Sequence, residues 1–190
     1  MPKSIKSLWE AFDKWLEDNW KEAFEQLNSP AIPEQIQQLQ SKLGVELPAE
    51  FIECLQVHNG EKNSCGLFDG SEFLSSDEIV FQWGIWQDLL SKGEFEDIYS
   101  DPGKGVKNDW WNPKWIPFTH TGSGDHLCID LDPSEDGTYG QIISMWHDDP
   151  SREVIAPSFR TYFEKYVKGV LDGEYVHSEL YGGLINSKDI

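Results

Sequence analysis

Five residues in the middle of the chain, Gly122-Ser123-Gly124-Asp125-His126, combine the types that nucleophilic catalysis uses. A nucleophile elbow requires Gly-x-Ser-x-Gly on a strand-to-helix turn. Here the first glycine is missing and a strand-like segment follows, so no elbow is expected. A dinucleotide fingerprint fails as well, because its third glycine is missing, and no Gly-x-x-x-x-Gly-Lys phosphate loop occurs. Gly-Ser-Gly reads instead as a hairpin turn. Further along, Asp130, Asp132 and Asp136-Gly137 resemble part of a calcium loop. Counted from Asp130, the sixth residue is Glu135 and the twelfth Gln141, where an EF-hand needs Gly and Glu. His126, Cys128, Asp130 and Asp132 alternate and would share one face of a strand. With His120 and His147 they outline a conceivable metal-dependent hydrolase centre. Their spacing fits no zinc pattern, and the outward polar residues of a half-exposed sheet account for it without metal. His147-Asp148-Asp149 could exchange protons, but no nucleophile stands in a defined relation to it. His58 reads as a helix-end residue favoured by the dipole. The residues therefore predict no catalytic centre, no metal and no cofactor.

The elements that would position these residues form a meander over Asn112–Asp149. Three apolar segments, Trp115–Thr119, Leu127–Leu131 and Gln141–Trp146, are separated by Gly122, Gly124, Asp125, Pro133, Asp136, Gly137 and Gly140. Such turn residues between β-branched and aromatic runs predict antiparallel strands. Upstream, apolar residues from Ile5 to Leu27 recur three and four apart, predicting one amphipathic helix ended by Asn28-Ser29-Pro30. A second helix runs from Pro33 to Gly44 and a third from Pro48 to about Val57, ended by Asn59-Gly60. Gly66–Leu74 reads as an edge strand or irregular piece. Ser75 caps a fourth helix reaching Leu90, and Lys92–Asn112 reads as an exposed loop ending in Trp110 and Trp111. Glu153–Ala156 is a short strand, Phe159–Leu171 a last helix, and residues after about His177 fray or lie along the surface. The expected fold is α+β: a single domain with a central antiparallel β-sheet surrounded by helices. Residues 1–30 form an N-terminal helix packed on it, 31–175 the domain proper, and 176–190 a tail.

Composition narrows the partners. Thirty-four acidic against fifteen basic residues leave a net charge of −19. That field repels phosphate, which argues against nucleic acid and anionic membranes and favours basic proteins or cations. Three cysteines with no close pair suggest a reducing, cytoplasmic setting. The first twenty residues lack the apolar core of a signal peptide, and no stretch approaches the ~18 apolar residues of a membrane span.

Several short motifs occur in a telling order. Asn112-Pro113-Lys114-Trp115-Ile116-Pro117-Phe118 resembles the W-x-P segment of the SMI1/KNR4 family, part of the SUKH superfamily. Gly124-Asp125 through Asp130 to Pro133 resembles its G-D-x-x-x-x-D-x-x-P motif. Tyr139-Gly140-Gln141-Ile142-Ile143 is similar to its G-Q-V segment, and Ala156-Pro157-Ser158-Phe159 to its A-x-S-F helix start. Leu43-Gly44, Leu47-Pro48 and His58-Asn59-Gly60 match the marks around the early helices. The resemblance covers about residues 33–172. It implies an α+β, non-enzymatic protein-binding module. Its leading implication is an immunity protein that neutralises a toxin, a basic toxin domain being the partner; the alternative is a regulatory scaffold of cell-wall assembly. Asn59, Gly60, Trp115, Pro117, Gly124, Asp125, Asp130, Pro133 and Gly140 are then structural motif positions. Aromatic anchors with an acidic rim are the expected interface: Trp83, Trp86, Trp110 and Trp111 with Asp125, Asp132, Glu135, Asp136, Asp148 and Asp149.

Overall fold

Ser4 opens the first helix by accepting a hydrogen bond from the Ser7 N–H, and α1 (Ile5–Asn19) buries Ile5, Leu8, Trp9, Phe12 and Leu16. A computed structural model describes residues 4–190. The single helix expected to reach Leu27 breaks at Trp20, whose φ of −152° and ψ of 68° are not helical, and resumes as α2 (Lys21–Gln26). Trp20 is buried and stacks on His177 with ring centroids 4.1 Å apart. A long-range contact thus accompanies the break, which local periodicity cannot register. Pro33 starts α3 (Pro33–Leu43) and Gly44 ends it in the left-handed region. Next come α4 (Ala49–Leu55), β1 (Glu72–Phe73) and α5 (Ser76–Ser91). Ser75 and Glu78 exchange hydrogen bonds across the first turn of α5 as a capping box.

The meander forms with shifted boundaries. Its first segment divides into β3 (Trp115–Pro117) and β4 (Thr119–His120), and β5 (His126–Asp130) and β6 (Gln141–Met145) follow. The short β2 (Asp101–Pro102) lies in the loop expected to be irregular, and β7 (Ser151–Arg152) and β8 (Val154–Ala156) follow β6. The main sheet has the order β3-β5-β6-β8, all neighbours antiparallel. Two small pairs flank it: β1 with β4, antiparallel, and β2 with β7, parallel. After α6 (Phe159–Leu171), β9 (Tyr175–Ser178) and β10 (Gly183–Asn186) form an antiparallel hairpin where a surface tail was expected. Leu184 is fully buried beneath it, and its N–H donates to the Gly66 carbonyl at 3.0 Å.

The sheet is covered on both faces, which corrects the expectation of a half-exposed one. Ile129 and Ile142 enter the main core with Trp9, Phe12, Phe51 and Phe163. Cys128, Ile143 and Met145 face a second cluster with Trp86, Val106, Trp111 and Trp115. The second cover consists of α5 and the 92–112 segment. Arg152 helps to hold that segment: buried, it donates to the Trp110 carbonyl at 3.0 Å and lies 5.0 Å from the Trp110 ring centre.

Candidate functional site

Strand β5 carries His126 and Asp130, and the structure gives both of them hydrogen-bond partners. Both His126 ring nitrogens are engaged. Nε2 is 3.2 Å from the indole Nε1 of Trp86, which can only donate. Nδ1 therefore carries the proton and donates to the Thr119 carbonyl at 2.7 Å. Burial pushes the imidazole down to about 4, against the pull of the Thr119 hydrogen bond. The Nε2 lone pair is thus taken by the Trp86 N–H and Nδ1 by its own proton, which leaves no lone pair for a metal in this arrangement. Asp130 is fully buried at the other end of the strand. Its carboxylate accepts from the Asp132 N–H and from Gln141 Nε2, both at 2.9 Å, while its carbonyl accepts the Gly140 N–H. Burial raises its carboxyl and these hydrogen bonds oppose the rise. Asp130, Gly140 and Gln141 thus close the β5–β6 turn. Gln141 also donates to the Gly105 carbonyl at 2.9 Å, tying that turn to the 92–112 segment.

At the opposite end, Asp125 Oδ1 accepts from the His147 backbone N–H and from its ring Nδ1, both at 2.9 Å. Burial opposes ionisation of Asp125, but the His147 and Ser123 hydrogen bonds outweigh it and hold the carboxyl below the usual range. The Asp125 contact in turn raises the His147 imidazole. Among the described residues, Asp125, His147 and Asp148 offer ligand atoms within 4.8 Å of one another. His147 already closes this group, its Nδ1 on Asp125 at 2.9 Å and Asp148 at 3.7 Å from its Nε2. The set His120, His126, Asp130 and His147 does not assemble around a shared point. His120 stacks on His126 at 5.3 Å, but Asp130 lies four residues along the strand, about 14 Å away at ~3.4 Å per residue.

The expected partner-binding residues divide. Trp86 and Trp111, 7% and 3% exposed, stack at 5.6 Å inside the second cluster and offer no surface. They leave the candidate interface because the second sheet face needs their bulk. Trp83 is half-buried and donates to the Pro113 carbonyl at 2.8 Å; Trp110 is half-buried against Arg152. Asp132 pairs with Lys107 at 2.7 Å and accepts from Asn112 at 3.0 Å, and the Lys107 contact leads in lowering its carboxyl. Exposed Glu135 and Asp136 sit in the same turn, Asp136 with Lys104 at 3.5 Å. Asp125, Asp148 and Asp149 belong to the other end of the sheet, where Asp149 accepts from the Ser151 N–H at 2.7 Å. The acidic candidates therefore form two groups rather than one rim.

The motif residues are built into junctions. Asn59 accepts from the Ser76 N–H at 2.9 Å and donates to the Ser76 hydroxyl at 3.1 Å, joining the end of α4 to the start of α5. Trp115 and Pro117 are buried on β3, opposite Asp130 and Cys128. Gly124 lies against the His147 ring, and Pro133 lies beside Gly137.

Sequence reading missed a cavity of about 240 Å³ between the sheet, α6 and the C-terminal hairpin. Tyr162 and Tyr166 line it. They stand out in the sequence only as part of the α6 apolar stripe, and the hairpin that completes the wall carries no strong pattern.

Fold and site together define an α+β domain whose strand-borne acids and histidines are engaged in turns and packing. The model of the SMI1 / KNR4 family (SUKH-1) matches residues 30–165, and the chain belongs to that family. The Neurospora crassa "Glucan synthesis regulatory protein" is 24% identical over 217 residues, covering 92% of this chain and 40% of that protein. The Schizosaccharomyces pombe "Cell wall biosynthesis/cell cycle regulator smi1" is 24% identical over 194 residues, covering 94% and 38%. The Saccharomyces cerevisiae "Cell wall assembly regulator SMI1" is 21% identical over 204 residues, covering 88% and 40%. The chain spans about two-fifths of the length of these relatives. Among the described residues, no helix is long and apolar enough to cross a membrane.

Proposed function

We propose that the chain is a non-enzymatic protein-binding module that acts in the regulation of cell-wall assembly. The family match over residues 30–165, with relatives named as regulators of glucan synthesis and cell-wall assembly, carries this reading. The geometry is compatible with it: His126, Asp130 and Gln141 support the sheet and its turns through buried hydrogen bonds. The relatives' names favour this role over neutralisation of a toxin. That second reading keeps one observation in its favour, the net charge of −19, which would steer the protein onto a basic toxin domain.

The test is a chimera in which this chain replaces the matching segment of the Saccharomyces cerevisiae relative, so that the rest of that longer protein is retained. Growth on a wall-stress dye and β-glucan content are measured in cells lacking the native gene. Restored growth and glucan support the regulatory role. A stably expressed chimera that restores neither sinks it. Protection of cells from a co-expressed basic nuclease toxin would then move the assignment to the second reading.

A further inference from the structure

The cavity beside α6 has a buried aromatic floor, Tyr162 and Tyr166, and a more open rim that includes Trp146 and Tyr175. Asp69 and Lys165 are the charged residues lining it. Asp69 Oδ1 accepts from the Asn186 N–H at 3.1 Å, and its carboxyl is raised by burial, with nearby Asp189 adding to the effect.

Strand β8 forms one wall through Ile155 and Ala156 and is the last strand of the main sheet. Just before it, Glu153 faces inward: its N–H donates to the Ser144 hydroxyl at 3.1 Å and its carbonyl accepts the Ser144 N–H at 2.9 Å. Arg152 faces outward, its carbonyl accepting the Gly103 N–H at 2.8 Å as β2 extends the edge. Alternation turns the Val154 backbone outward as well, just before the register shift that separates Val154 from Ala156 in the pairing with β6, and β2 ends at Pro102. Val154 and Ile155 are 37% and 44% exposed there. An edge strand with apolar exposure is a template for pairing.

We propose that the outer edge of β8 pairs with an extended segment of a partner protein, and that the cavity takes a lysine or arginine side chain from that segment. This rests on the protein-binding reading above and adds the place and the chemistry of the partner. Main-chain pairing supplies the framework. The lining is aromatic and attracts a cation that meets a ring face, Asp69 is its counter-charge, and the net charge of −19 draws a basic segment in. Lys165 opposes this, but it is exposed and its long stem lets the ammonium swing to solvent.

The experiment is an NMR titration of the ¹⁵N-labelled chain with a capped heptapeptide alternating threonine and lysine. The threonine–glutamate counterpart and N-acetyl-lysine amide are titrated in parallel. The expected result is saturable shifts at 154–156 and at the Trp146 indole, with affinity falling about five-fold in Asp69→Asn and rising in Lys165→Met. Equal binding of the glutamate peptide, unchanged affinity in Asp69→Asn, shifts elsewhere, or no shifts overturn the proposal. Binding of N-acetyl-lysine amide as tight as that of the heptapeptide also overturns it, by leaving the strand edge no role. The chimera reports on the wider function and the titration on this site, so the two fail separately.

Discussion

Glu61 follows the Asn59-Gly60 pair and is 1% exposed. Among the described residues no cation pairs with it: its carboxylate accepts from the Cys65 N–H at 2.9 Å and the Cys65 thiol at 3.0 Å. Burial pushes the carboxyl from 4.5 up to about 7, against the pull of these hydrogen bonds. Between those two values the folded state holds the proton and the unfolded state releases it. The contribution of Glu61 to stability therefore falls as pH rises through that window, and the penalty is complete above about 7. Glu61→Gln removes the charge and keeps a carbonyl acceptor. Urea unfolding is expected to show a gain of roughly 2–3 kcal/mol at pH 8 and almost none at pH 4.5. An equal gain at both pH values would refute burial of the charge as its cause. His126 works in the other direction. Its folded value near 4, below the ordinary 6.5, gives stability that is present above 6.5 and lost as pH falls toward 4. Neither shift is legible in the chain, where Glu61 follows a turn and His126 alternates with polar neighbours. Burial by residues distant in sequence decides both.

At the scale of elements, Asn59-Gly60 does more than end α4. Gly60 has φ +73°, its carbonyl accepts the Asn28 N–H at 2.9 Å, and an added Cβ would overlap the backbone of Leu74 and Ser75. The pair fastens α2, α4 and α5 at one point. Gly60→Ala is expected to destabilise the fold by about 2 kcal/mol or more, through backbone strain and steric overlap together. The urea midpoint should fall accordingly, and an unchanged midpoint would contradict this close approach. Helices α3, α5 and α6 were readable because proline, serine caps and a 3.6-residue apolar period act locally. Two features escaped for the opposite reason. The break at Trp20 coincides with stacking on His177, more than 150 residues away. The second sheet cover depends on the 92–112 segment, which looks like an exposed loop until β2 meets β7.

At the scale of the molecule, the net charge of −19 implies self-repulsion in the folded state. Raising monovalent salt until the screening length falls from about 30 Å to about 8 Å should raise the melting temperature. Calorimetry at fixed pH checks this, and a flat or falling Tm would mean that local ion pairs such as Lys107–Asp132 outweigh the global term. The same charge is distributed unevenly over function. One acidic group sits in the 131–140 turn and another around Asp125 and Asp148, at opposite ends of the β5–β6 ladder. A single partner surface spanning all of them would have to cross the sheet.

The sequence by itself determined the α+β class, the order of most elements, the turns of the meander and the family. These rest on local chemistry: glycine and aspartate in turns, caps at helix starts, and periodic apolar residues. Tertiary structure alone decided that the sheet has two covered faces, that Trp86 and Trp111 are buried in the second of them, and that His126 is held neutral. It also decided that β8, α6 and the C-terminal hairpin enclose a tyrosine-lined cavity. Each of these depends on which distant segments exclude water from one another, and no local pattern encodes that.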